Sequence, residues 1–242
     1  MLMPTLLVTG ANRGLGLELV RQYLDDGWNA VACCRNPDAA DGLRALASGA
    51  GDRLNIQRMD VNNADEITAV AKVLDGAPID LLINNAGIVD SYGTGVAEGN
   101  DDPDLKNYDH EFWLEILNTN VVAPGRVTGE FADNVAASDK KLVVMMTSGL
   151  GSIANTWQGG RYAYRTSKAG LNMLTRSAGE WLEARGITVI AIAPGWTRTE
   201  LGGPNAPTAV EASVAGMRAI FEKLTIEDTG TYWNFDGQQL PW

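Results

Sequence analysis

Histidine and cysteine are almost missing from this chain, with one His and two Cys among 242 residues. With them go most of the ways a protein builds a metal centre. His110 stands alone near a helix start with no second His or Cys at ligand spacing, so no metal site is expected. Cys33 and Cys34 are neighbours, which on a strand sends their side chains to opposite faces; they read as small strand hydrophobes and not as a disulfide. Positive charge is also scarce. Nineteen Lys and Arg stand against 30 Asp and Glu, and the net charge of -11 repels a nucleic-acid backbone and an anionic membrane surface alike. Long apolar runs are absent, the best of them at residues 187–194 being too short to span a bilayer. The opening MLMPTLLVTG has no basic segment and leads straight into a glycine motif, which argues against a secretory signal and for a cytoplasmic location. No repeat, low-complexity stretch or proline-rich linker divides the chain, and one domain over residues 1–242 is expected.

What is present alternates. Short apolar, partly β-branched runs at residues 5–9, 30–34, 54–59, 79–83, 141–147 and 187–193 are separated by helical patterns, and a further edge strand is expected at 230–235. Runs so uninterrupted suit strands buried on both faces, and helices between them imply parallel pairing. The fold class is therefore α/β, a doubly wound parallel sheet with helices on both sides. The longest helical patterns cover residues 107–136, where Pro124 and Gly125 should kink or divide the helix, and residues 162–185. Residues 89–106, rich in Gly, Asp and Asn, read as a surface loop.

Three places could carry chemistry. The first strand runs into Thr9-Gly10-Ala11-Asn12-Arg13-Gly14-Leu15-Gly16 and then a helix, the position at which such sheets hold a pyrophosphate against helix N–H groups. A tight turn alone also selects glycine, but its place after the first strand favours dinucleotide binding. At the end of the second strand, where an NAD site offers Asp or Glu to the ribose, this chain has Arg35; with Arg13 it could grip a 2'-phosphate. Finally, Tyr164 and Lys168 lie four apart in a helical pattern and so share one face. A neighbouring ammonium would be expected to lower the phenol's pKa and make it a better proton carrier.

Taken together, TGANRGLG, Asp60-Val61, Asn84-Asn85-Ala86-Gly87, Asn120, Ser148, YRTSK at 164–168 and PGWTRT at 194–199 resemble the short-chain dehydrogenase/reductase family from end to end. GGRYAYR, LNMLT, PGWTRTELGG and DGQQLPW are most similar to its carbonyl-reductase branch, which includes the sniffer and C-factor proteins. The resemblance implies a Rossmann-type sheet of seven strands, NADP(H) as cofactor and a small carbonyl or alcohol substrate. It further implies Tyr164 as general acid, Lys168 as the ribose ligand, Ser148 as a bond to the substrate oxygen and Asn120 as the anchor of a relay water. The cofactor would be held by Gly10, Asn12, Arg13, Gly14, Leu15, Gly16 and Arg35. Asp60, Val61, Asn84, Ala86 and Gly87 would serve its adenosine half, and Pro194, Gly195, Trp196, Thr197 and Thr199 its nicotinamide half. Family members pair through helices like those at 107–136 and 162–185, so a homodimer or homotetramer is expected.

Two readings stay open at this point. Sixteen positions separate Ser148 from Tyr164, more than the family pattern has, so Ser152 competes for the serine's role. Ser148 is favoured because it directly follows a strand, with the extra residues placed around 154–160. Resemblance to the C-factor group also admits a regulatory protein that binds a dinucleotide and turns it over only incidentally.

Overall fold

The structure, a computed structural model, describes residues 3–90, 105–156 and 159–242. Among the described residues seven strands form: β1 (Thr5–Thr9), β2 (Asn29–Cys34), β3 (Leu54–Arg58), β4 (Leu81–Asn84), β5 (Leu142–Met146), β6 (Thr188–Ala193) and β7 (Tyr232–Asn234). They make one sheet in the order β3-β2-β1-β4-β5-β6-β7, and every neighbouring pair is parallel. The helices are α1 (Gly14–Asp25), α2 (Asp41–Ala50), α3 (Ala64–Leu74), α4 (His110–Leu117), α5 (Ala123–Ala136), α6 (Tyr162–Leu182) and α7 (Val210–Phe221).

Strand alternation sorts the core into two layers. Leu6, Val8 and Cys34 face one way and pack with α1, α2 and α7. Leu7 and Cys33 face the other way, among residues of α3, α5 and α6. Both cysteines are buried and unbonded, as their adjacency on a strand requires. Chain order reverses at β1, whose neighbours are β2 on one side and β4 on the other. Helices leave on opposite faces there, and a crevice opens beyond the strands' carboxyl ends.

Two expectations needed correction. β3 is an edge strand in which only Leu54 is buried, because no neighbour covers its outer side. The long helix at 107–136 does divide, but through a π-turn at Asn118–Val122, with Pro124 in the first turn of α5. Proline has no N–H to give the carbonyl four residues before it, that of Asn120, and the widened turn lies around that carbonyl. The loop foreseen at 89–106 falls mostly on residues outside those described. Among the described residues no helix is long and apolar enough to cross a membrane.

Candidate active site

The crevice beside β1 begins as a cradle for an anion. The α1 helix starts at Gly14 with no acidic residue in its first turn, so its unbonded N–H groups and dipole face the cleft. Gly10 has a φ of 66°, a left-handed conformation that lets the chain leave β1 and turn at once into the helix. Gly16 packs so tightly that a Cβ there would lie 2.3 Å from the Gly10 carbonyl oxygen, which only glycine permits. Asn12, Arg13, Gly14 and Leu15 complete this wall. Asn85 ties the loop to β4, its amide donating to the carbonyls of Thr9 at 2.9 Å and Gly10 at 3.1 Å.

At the end of the cleft expected to take adenosine, Arg35 follows β2 with its side chain exposed, and Asp60 and Val61 follow β3. Asp60 accepts a 2.9 Å bond from the Asn62 N–H, which fixes the turn after the strand. Arg13, expected beside Arg35, pairs instead with Glu200 on the segment after β6. Ala86 and Gly87 line the cleft, whereas Asn84 does not: its amide donates to Thr128 at 3.0 Å inside the core beneath α5. Asn85, one position on, lines the cleft instead.

Tyr164 and Lys168 both project from α6 into the cleft, with the Lys168 ammonium 5.6 Å from the centre of the tyrosine ring. Lys168 is buried and donates to the Met146 carbonyl at the end of β5, 2.8 Å away. Burial brings its pKa down to about 8. The phenol of Tyr164 is shifted upward, against expectation, because burial outweighs the bond to Ser148 and the charge of Arg161, which pull it down; Asp90 adds to the rise. A raised phenol is held in its acid form.

Ser148 lies two positions beyond the end of β5, after Thr147, and its side chain bonds to Tyr164. Ser152 turns the other way: buried, it donates to the Pro241 carbonyl at 2.7 Å and accepts from the Asn155 N–H at 3.1 Å. Asn120 is also fully engaged. Its amide donates to the Ile88 carbonyl at 2.8 Å and to Ser167 at 3.0 Å, and its oxygen accepts from the Ile88 N–H at 2.9 Å. The side chain therefore fastens the loop after β4 to α6 and holds no position in the cleft.

Beyond β6, Pro194 and Thr199 reach the cleft, while Gly195, Trp196 and Thr197 build the loop between them. Trp196 donates to the Gly202 carbonyl at 2.8 Å and Thr197 to that of Pro194 at 2.9 Å, so the segment is braced upon itself. Sequence reasoning missed Thr147, Asn172 and Tyr232, whose bonds hold the chain around Ser148. Only their polarity at otherwise apolar positions hinted at it.

A family model described as short chain dehydrogenase matches residues 4–209. The chain is 34% identical to C-signal of Myxococcus xanthus over 165 residues, 68% of this chain and 93% of that protein. The structure of an NADPH-bound carbonyl reductase from chicken fatty liver superimposes with a TM-score of 0.88 at 31% identity, covering 100% of both chains. The carbonyl reductase Sniffer of D. melanogaster does so with a TM-score of 0.87 at 30% identity, again over 100% of both.

Proposed function

The chain belongs to the short-chain dehydrogenase family, and we propose on that footing that it reduces an aldehyde or ketone with NADPH, or runs the reverse alcohol oxidation. The observation that carries this reading is the meeting of Ser148, Tyr164 and Lys168 at the end of β5, beside the anion cradle of α1. The residues present fit the cofactor. The glycine turn allows backbone to approach a pyrophosphate, Arg35 suits a 2'-phosphate, and Lys168 keeps N–H donors beyond the one given to Met146 for ribose hydroxyls. When bound, NADPH supplies the hydride for the carbonyl carbon.

The rest falls to the protein. Tyr164, held protonated by burial, donates its proton to the substrate oxygen, and Ser148 offers a second hydrogen bond there. The Lys168 ammonium steadies the phenolate left behind. Asn120 contributes through its backbone carbonyl, to which Pro124 has no N–H to give, as the anchor for a water that returns a proton.

Loss of NADPH absorbance against a panel of aldehydes and ketones tests the activity. Tyr164→Phe should cut turnover by orders of magnitude and leave NADPH affinity nearly unchanged, since the phenolic proton matters in the transition state and little to the bound cofactor. A variant retaining more than about a tenth of wild-type turnover, a loss under ~1.4 kcal/mol, would remove Tyr164 as the general acid. Likeness to C-signal favours a second reading, a regulatory protein that binds the dinucleotide. Tight NADPH binding with no turnover across the panel would support that one.

A further inference from the structure

Ser148 enters a single helical turn, Gly149–Gly151, that is gripped from three sides. From α6, Asn172 accepts a 2.7 Å bond from Thr147 and donates a 3.0 Å bond to the Gly151 carbonyl. From the segment after β7, the Pro241 carbonyl takes the Ser152 hydroxyl, and the Trp242 carbonyl takes the Ala154 N–H at 2.9 Å. From β7 itself, the buried Tyr232 reaches across β6, and its phenol donates a 2.6 Å hydrogen bond to the Ser148 carbonyl oxygen. The Tyr232 ring is seated in turn by Trp242, stacked on it with centroids 5.2 Å apart.

The bond to Ser148 is the one with a chemical consequence. A serine side chain has a single heavy-atom torsion, so the direction of its hydroxyl follows from the orientation of its backbone and one rotamer choice. Ser148 sits in extended backbone at φ -156° and ψ 148°, and its oxygen accepts a 3.2 Å bond from the Leu150 N–H. Its carbonyl holds two donors, the Gly151 N–H at 2.8 Å and the Tyr232 phenol. The first belongs to the turn and moves with it. Of the two, the phenol is the one that ties the serine's backbone to a separate, rigid element. Burial pushes the Tyr232 phenol upward, so it stays protonated and remains a donor across the working pH range.

We propose that Tyr232 is a positioning residue for carbonyl reduction: by holding the Ser148 carbonyl it aims the Ser148 hydroxyl at Tyr164 and at the substrate oxygen. This rests on Ser148 being the residue that orients the substrate. A phenylalanine at 232 would fill the same space and stack on Trp242 equally well; the hydroxyl is what the serine needs.

A double-mutant cycle separates positioning from packing. Tyr232→Phe should lower kcat/KM for the carbonyl about tenfold with NADPH Kd unchanged, yet cost less than about twofold when Ser148 is already alanine. Equal losses in the two backgrounds, or no loss in the first, would overturn the proposal. Amide hydrogen exchange supplies a readout that needs no turnover. Leu150, bonded to the serine hydroxyl, should exchange at least about fivefold faster in Tyr232→Phe, and an unchanged rate sinks the proposal whatever the activity. A chain that turns over no carbonyl but shows this faster exchange would lose the proposed reaction while the grip on Ser148 stands. Should Tyr232→Phe not fold, Trp242→Ala removes the stacked ring and spares the phenol, and the same non-additivity with Ser148→Ala is expected of it.

Discussion

Ser148 and Ser152 carry the same side chain four positions apart, and their surroundings give them different work. Ser148→Ala should lower kcat/KM by roughly ten- to thousand-fold, the scale of one lost electrostatic donor, while Ser152→Ala should cost under about tenfold. Measuring both with one carbonyl substrate at saturating NADPH decides the matter, and the reverse order would move the role to Ser152. The bond from Ser152 to Pro241 explains why its loss should be felt in stability before it is felt in catalysis. At this scale the sequence was informative about which residue types matter and poor at where they point. Asn84 and Asn85 differ by one position, yet strand alternation buries the first against Thr128 and leaves the second to tie the glycine loop. Asn120, expected to anchor a water, has its side chain occupied by Ile88 and Ser167, contacts that only the fold creates. The sign of the shift at Tyr164 was illegible for a similar reason. The spacing to Lys168 shows a neighbouring charge and says nothing of burial, and burial is the larger influence.

The elements that frame the cleft meet across its mouth, where Arg13 at the start of α1 pairs with Glu200 beyond β6. Both side chains are well exposed, at 63% and 73%, so the pair contributes only about 0–1 kcal/mol and yields readily to a better partner. Arg35 has no such rival among the described residues and should carry most of the preference for a 2'-phosphate. Arg35→Asp is expected to cost NADPH at least about tenfold in kcat/KM and to favour NADH, and Glu200→Gln to tighten NADPH by a few-fold by releasing Arg13. Equal specificity constants for the two cofactors in the unaltered protein would remove both arginines from the role. The strands that position these groups were legible because buried parallel strands read as unbroken apolar runs, β5 and β6 most plainly. The π-turn was not. Pro124 announces a break in the helix, but whether the turns tighten or widen before it depends on how α4 packs on α6 and α5 on the sheet.

Across the whole molecule, an acidic surface with a net charge of -11 discourages random self-association, so any stable assembly needs a specific apolar face. Leu114 on α4, Val122 before α5, and Met173 and Trp181 on α6 are large hydrophobes left exposed on the helices expected to pair. A homodimer or homotetramer through these helices is proposed. Leu114→Glu with Met173→Glu should convert it to a monomer in sedimentation, and a variant that keeps its assembly state would place the contact elsewhere. The sheet order has a consequence in time as well as in space. Thr5 on β1 donates to Asp80, 75 positions later, and the carbonyl of Ser148 waits for Tyr232, 84 positions later. A chain leaving the ribosome can form the glycine-loop side of its crevice once β4 slots beside β1, whereas the side lined by Tyr164, Lys168, Pro194 and Thr199 must wait for α6 and the segment after β6. The loop that faces an anion is thus in place early in synthesis, and the bond that fixes the Ser148 carbonyl is among the last to form.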